Sequence, residues 1–218
     1  MDEKVKYPQK FVKFNHNENE FATTGEQIII FWLWDDNERT FELYSPDIPS
    51  KKTLTQTVFI ENSPQAVTGT KEGVIIVWDI SLIMEDFTQP EERRCIKTVN
   101  LMNNPNKIDQ MKKLQNTNTS INVLKTEGGF LVVGSSNGCV RFYDEQYRIE
   151  AWFEDIDLGS IHTISFSNVS EDGDMGVEDS RMTSEKEKMK GESNSFKCND
   201  FIVVDDNARI SLLKASQF

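Results

Sequence analysis

Two histidines and three cysteines in 218 residues leave little for chemistry. Cys95, Cys139 and Cys198 are odd in number and widely spaced, so neither a disulfide framework nor a paired redox or metal motif is expected, and reduced thiols are the default. His16 and His162 fall in different segments, and no cysteine or carboxylate stands at ligand spacing from either. A zinc site or an activated nucleophile needs such a set. No catalytic residue, metal ligand or cofactor is therefore assigned, and the chain is expected not to be an enzyme.

Long apolar runs are missing as well. The longest, Ile28 to Trp34, is far shorter than the roughly 20 residues a membrane helix requires. The N-terminal stretch MDEKVKYPQKFV carries charge where a secretory signal would need an apolar core. The expectation is a soluble intracellular protein with no membrane partner, in which the glycosylation triplets at Asn118 and Asn168 have no consequence. Positive charge is in deficit too: 24 Lys and Arg against 36 Asp and Glu give a net charge of −12, which repels a polyanion and argues against nucleic acid. The acids of SEDGDMGVED lack the alternation of a calcium loop, and no glycine-rich stretch leads from a strand into a helix to cradle phosphate.

What the sequence does have is a repeat. Laid over one another, QAVTGTKEGVIIVWD (residues 65–79) and FLVVGSSNGCVRFYD (residues 130–144) match Gly69 to Gly134, Gly73 to Gly138, Trp78 to Tyr143 and Asp79 to Asp144 without a gap. FATTGEQIIIFWLWD (residues 21–35) fits the same frame, with Gly25 on Gly69 and Trp34 on Trp78. FIVVDDNARISLLK gives a weaker fourth copy, in which Leu213 takes the aromatic place and Asp206 with Asn207 form the bend. In this frame Gly25, Gly69, Gly134 and the Asp206–Asn207 pair mark one common bend. Each copy reads as a hairpin, preceded by a β-type segment (FVKFN, TQTVFI, SINVLK, SIHTISF) and, in three copies, followed by another (FELYS, CIKTVNL, RIEAWF).

The unit is a four-stranded meander of about 40 residues, the length of a propeller blade. The fold class is all-β, a WD-repeat β-propeller with about four blades, at residues 10–46, 54–102, 120–156 and 160–218 of a single domain. Inner strands such as VIIVW are apolar on both faces, whereas outer ones such as RIEAWFE alternate with charge, as expected of blades stacked face to face. Trp78 is expected between neighbouring blades, and Asp79 and Asp144 as turn residues that cap backbone N–H groups rather than as paired catalytic acids. Polar insertions at 84–94, 103–119 and 169–195 interrupt the repeat, the last of them acidic and disordered in composition. The fourth copy ends before an outer strand, so a partial ring is favoured over a closed ring of four.

The runs FVKFNHNE, LTQTVFI, PQAVTGTKEGVIIVWDI, GCVRFYDEQYRIEAWFEDIDLGSIHTISFS and FIVVDDNARISLL together resemble the WD-repeat region of the ciliary family of cilia- and flagella-associated protein 251. Arg141 through Ser167 is the most specific part. The resemblance implies a non-enzymatic subunit of the calmodulin- and spoke-associated complex in the cilium or flagellum. Such a subunit sits at the base of a radial spoke on the axonemal doublet microtubule, helping to anchor the spoke and to regulate dynein-driven motility. Its implied partners are the other subunits of that complex, radial spoke proteins and the doublet. The family proteins are longer, and the Gly-His dipeptide common in WD repeats is missing here.

For partner contact the sequence offers Lys107, Lys112 and Lys113 in an insertion, and Arg148 and Trp152 near a blade edge. The alternatives are a generic WD-repeat adaptor in a cytosolic complex, and a propeller that binds a ligand or catalyses in its central channel. The second would bring His, Arg or acidic groups onto inner strand ends, where this sequence has mostly Ile, Val and Ser.

Overall fold

A computed structural model describes residues 7–16, 19–80, 95–101, 119–154, 156–167 and 196–214. Among them there are strands and no helix. Sheet one consists of β1 (Phe11–Phe14), β2 (Glu20–Thr24), β3 (Ile29–Asp35) and β4 (Thr40–Tyr44), and sheet two of β5 (Leu54–Phe59), β6 (Gln65–Thr70), β7 (Val74–Asp79) and β8 (Cys95–Asn100). Sheet three consists of β9 (Ile121–Glu127), β10 (Phe130–Ser135), β11 (Val140–Tyr143) and β12 (Ile149–Phe153), and sheet four of β13 (Ile161–Phe166), β14 (Phe201–Asp205) and β15 (Ile210–Leu213). Spatial order follows chain order in every sheet, and neighbouring strands run antiparallel. The expected insertions at 84–94 and 169–195, and all of 103–119 except Thr119, lie outside the described residues.

In sheets two and three the bends are not where the glycine alignment placed them, whereas Gly25 and the Asp206–Asn207 pair do lie in hairpin loops. Gly69 and Gly134 lie inside β6 and β10, and the chain turns at Gly73 (φ 74°) and Gly138 (φ 79°). The N–H of Gly73 donates to Thr70 O and that of Gly138 to Ser135 O, both at 3.2 Å. These are three-residue hairpin loops that require a left-handed residue. Sheet four builds the same loop without glycine: Ala208 takes φ 60° and donates to Asp205 O at 3.1 Å. Gly69 and Gly134 serve a different need. A Cβ on Gly69 would stand 2.6 Å from Ile121 Cγ2, and one on Gly134 2.7 Å from Ile161 Cγ2, so each lets the next sheet approach.

Sheet one departs from the gapless frame. Its β2–β3 loop is shorter, closed by Gly25 N–H to Ile28 O at 2.8 Å, and Trp32 rather than Trp34 occupies the place of Trp78. Phe21 pairs with Trp32 as Ala66 pairs with Trp78. The indole of Trp32 donates to Thr23 Oγ1 at 3.0 Å, as that of Trp78 donates to Thr68 Oγ1 at 2.8 Å. Gly25 accordingly lies in the loop, where a Cβ would meet Pro8 O at 2.3 Å, and is not the counterpart of Gly69.

Three apolar cores separate the four sheets. Ala22, Ile29 and Phe31 pack against Phe59, Ala66, Ile76 and Trp78; Val67, Ile75 and Val77 against Leu124, Leu131, Val133 and Tyr143; Val132, Val140 and Phe142 against Ile161, Ile164, Phe201 and Val203. Successive residues of β7 therefore serve different cores, Ile75 and Val77 on one side and Ile76 and Trp78 on the other. Side chains alternate across a strand, so burial on both faces demands an uninterrupted apolar run. The outer strands β4 and β8 are largely exposed, and the described strands form no closed ring.

Candidate interaction surface

Trp78 is fully buried between sheets one and two, its ring edge-on to Phe31 at 6.2 Å and 71°. Its indole begins a buried polar chain: Thr68 Oγ1 lies 2.8 Å from Thr57 Oγ1, which accepts from Thr24 Oγ1 at 2.7 Å. All four residues are buried, so the chain satisfies groups that would otherwise be costly in an apolar interface, and it ties sheet two to sheet one. Tyr143 takes the corresponding place in sheet three and Leu213 in sheet four, opposite Leu131 and Phe201. Burial pushes the Tyr143 hydroxyl up to about 12; it donates to Leu101 O at 3.5 Å.

Asp144 closes the β11–β12 turn. Its Oδ1 accepts from the N–H of Gln146 and Arg148, and its Oδ2 accepts from Arg148 Nε at 2.7 Å. Burial opposes its ionisation, yet these bonds prevail and hold its carboxyl below the usual range. Asp205 repeats the arrangement with the N–H of Asn207 and Arg209 and with Arg209 Nε, adds the N–H of Gly159, and is held down to about 2. Both turns have Asp and Arg four residues apart, as DEQYR and DDNAR, and a left-handed residue between them, Tyr147 or Ala208. That spacing is a signal the glycine frame passes over. Asp79 ends β7 opposite Gln65.

Of the five residues expected at a partner contact, two are described. Lys107, Lys112 and Lys113 lie outside the described residues. Arg148 is exposed, but its guanidinium is committed to Asp144 and to Gln146 Oε1 at 2.8 Å. Trp152, on the outer strand β12, is 38% exposed opposite Arg141.

Several hollows face solvent, one of about 550 Å³ between the β9–β10 hairpin, the β11–β12 turn and Phe196. The β5–β6 turn, the β9–β10 hairpin and the β11–β12 turn enclose about 410 Å³ lined by Ile60, Glu61, Leu131, Glu145 and Tyr147 among others. Another of about 320 Å³ lies where the starts of β1, β5, β9 and β13 approach one another. Lys10 and Lys71 meet Glu26 at its rim, at 2.8 and 3.0 Å, and their hydrogen bonds lower its pKa to about 2. Among the described residues, no group of three or more His, Cys, Asp or Glu could hold a metal. No helix long and apolar enough to cross a membrane occurs among them.

The most conspicuous surface is one that sequence reasoning missed. Phe14, Phe21, Trp32, Trp34 and Phe41 form an aromatic network on the outer side of sheet one: Phe21 stacks on Trp32 at 5.6 Å and 8°, and touches Phe14 and Phe41 at 5.2 Å. Trp34 meets Phe41 at 4.9 Å and donates to Asp36 Oδ1. Phe14 and Phe41 are more than two-fifths exposed. In the sequence these residues read as ordinary strand interior, because nothing local shows that sheet one has no described sheet before it.

Repeated antiparallel meanders stacked through shared apolar faces make this an all-β repeat protein whose distinctive surfaces are faces and turns. A family model described as the CFAP251 N-terminal domain matches residues 1–218. The chain is 51% identical over 225 residues to cilia- and flagella-associated protein 251 of Tetrahymena thermophila, covering 100% of this chain and 22% of that protein. It is 30% identical over 218 residues to the protein of that name from Chlamydomonas reinhardtii, covering 96% and 24%, and 26% identical over 157 residues to the one from Mus musculus, covering 69% and 11%. The chain belongs to the cilia- and flagella-associated protein 251 family. It spans about a quarter or less of the length of these relatives.

Proposed function

We propose that the four sheets are consecutive blades of a WD-repeat β-propeller, and that the chain is a non-enzymatic scaffold of the ciliary or flagellar axoneme. In this reading it acts within the calmodulin- and spoke-associated complex at the base of a radial spoke, helping to anchor the spoke to the doublet and to regulate dynein. The match to the CFAP251 N-terminal domain over the whole chain carries the ciliary part. The blade assignment is supported by the sheet order and by three successive interfaces built on one plan. Stacked sheets suit a scaffold because they hold their turns on a stiff body, so partners bind without an ordering cost.

Expressing the tagged chain in a ciliated cell tests this. Retention on detergent-extracted axonemes, with cross-links to proteins of the spoke base, is the expected result. A cytosolic distribution with no axonemal retention overturns it.

A further inference from the structure

The hollow of about 410 Å³ lies between sheets two and three, each of which has a described sheet on either side. Three bends fix its walls. The β5–β6 bend is closed by Ser63 N–H to Ile60 O at 3.3 Å and tied to the end of β7 by Ile80 N–H to Pro64 O at 2.7 Å. Across from it, Tyr147 in the β11–β12 turn reaches sheet two, its hydroxyl donating to Gln65 Oε1 at 3.0 Å. The third bend is Gly128–Gly129, left-handed at φ 55° and 80°, where an added Cβ would meet nothing within 4 Å. The hollow is therefore preformed, and its glycine rim leaves room for an approaching backbone.

Its chemistry is one-sided. Ile60, Pro64, Leu131 and Tyr147 give apolar wall, and the charged side chains that line it are Glu61, Asp144 and Glu145, with no Lys or Arg. Asp144 is neutralised by Arg148. Glu145 is exposed and has no hydrogen-bond or ion-pair partner among the described residues, and Glu61 meets the His16 imidazole at 3.8 Å. Two carboxylates from two bends do not make a metal site, and none is formed among the described residues. An ammonium or guanidinium on an alkyl stem suits both parts, since its methylenes cover apolar wall while its head meets the carboxylates. The ring of Tyr147 already faces one ammonium, Lys97 Nζ at 4.7 Å from its centroid.

The hollow shares Gly129, Phe130, Glu145 and Gln146 with the neighbouring one of about 550 Å³, so the two make one trough past the β9–β10 bend. That is more space than a single free amine fills, and it suits an extended chain. In the second hollow Arg148 and Lys197 offset Asp144 and Glu150, so the excess negative charge stays with the first.

We propose that this trough docks an extended segment of a protein partner and seats one of its lysine or arginine side chains between Glu61 and Glu145. The inference uses the geometry of sheets two and three and goes beyond the scaffold reading, needing neither its blade assignment nor its ciliary address. The net charge of −12 draws a basic partner toward the chain, and the trough gives that attraction a place.

Amide NMR on the isotope-labelled full chain, titrated with blocked decapeptides, tests the proposal. A peptide of alternating Lys and Ser should shift the amides of Gly129, Gln146 and Tyr147 saturably, and less as salt rises. Peptides of alternating norleucine and Ser, or Glu and Ser, should not. Glu145→Gln alone, at an exposed position without a described partner, should weaken binding about two- to fivefold, and together with Glu61→Gln about five- to tenfold. Glu38→Gln with Glu42→Gln removes the same charge from exposed positions on sheet one and should change binding by less than about twofold. Shifts that miss the three amides, equal binding of the norleucine peptide, or an equal loss in the sheet-one pair overturns the proposal. Peptide binding without axonemal retention of the tagged chain removes the scaffold reading alone, whereas retention without peptide binding removes this inference alone.

Discussion

Replacing Trp78 by alanine removes a fully buried indole from the core between sheets one and two. Large-to-small changes of this kind cost about 3 to 5 kcal/mol, the upper part applying where the walls cannot collapse. Here the walls belong to two sheets, Phe31 and Ala22 on one side and Phe59 and Ile76 on the other, and are held by their own ladders. The change also strips Thr68 of the donor at 2.8 Å in a chain of buried hydroxyls, a further loss of about 1 kcal/mol. Trp78→Phe should keep most of the packing and lose mainly that bond. The total is about 4 to 6 kcal/mol, and for a domain of this size each kcal/mol shifts the melting temperature by about 2 to 4 °C, so Trp78→Ala should lower it by about 8 to 24 °C. Trp34→Ala, on the open side of sheet one, should cost no more than about 1 kcal/mol, for the lost edge contact with Phe41. Thermal and urea unfolding followed by far-ultraviolet circular dichroism measure both. Equal losses at Trp34 and Trp78 would refute the register by which Trp32, not Trp34, is the counterpart of Trp78.

Gly69→Ala should destabilise by about 1 to 3 kcal/mol through overpacking against Ile121, read as a lower urea midpoint; an unchanged midpoint would contradict the close approach of sheets two and three. Ala208→Gly should stabilise by about 0.5 to 1 kcal/mol, read as a higher urea midpoint, because it relieves a left-handed alanine; a loss would argue against that loop geometry. On the alkaline side, Tyr143 has a folded pKa raised to about 12 from 10.0, so its contribution is intact below pH 10 and lost as pH rises through about 12. Two pH units correspond to about 2 to 3 kcal/mol, and Tyr143→Phe should flatten the stability curve across that interval; a curve of the same slope would refute the assignment.

The meander plan and the inner strands were legible because a strand buried on both faces leaves no room for polar residues, as VIIVW and FLVV show. The aromatic place was legible for Trp78, Tyr143 and Leu213, where the hairpin loops have equal length. It was misread in sheet one because a shorter loop shifts the frame, and IIIFWLWD offers two tryptophans two residues apart, on the same face of β3. The meaning of the glycines was divided for a physical reason. Gly73 and Gly138 supply a backbone angle, whereas Gly69 and Gly134 supply the absence of a side chain, and composition cannot separate the two uses. The threonine chain was invisible because Thr24, Thr57 and Thr68 come from three strands in two sheets.

Stability in such a stack should be distributed unevenly, since it is a sum over sheets and the interfaces between neighbours. Sheets two and three each contribute to two cores, whereas sheets one and four contribute to one core each and expose the other face. Amides of β6, β7, β10 and β11 lie in central strands between apolar layers, while β4 and β8 are largely exposed outer strands and the outer edge of β15 has no described neighbour. Native-state hydrogen exchange should therefore be slowest in β7 and β10 and faster in β3 and β14, although all four are central strands with two partners. Uniform protection across the four strands would mean that the sheets open as one unit and that the end sheets are no weaker than the middle ones.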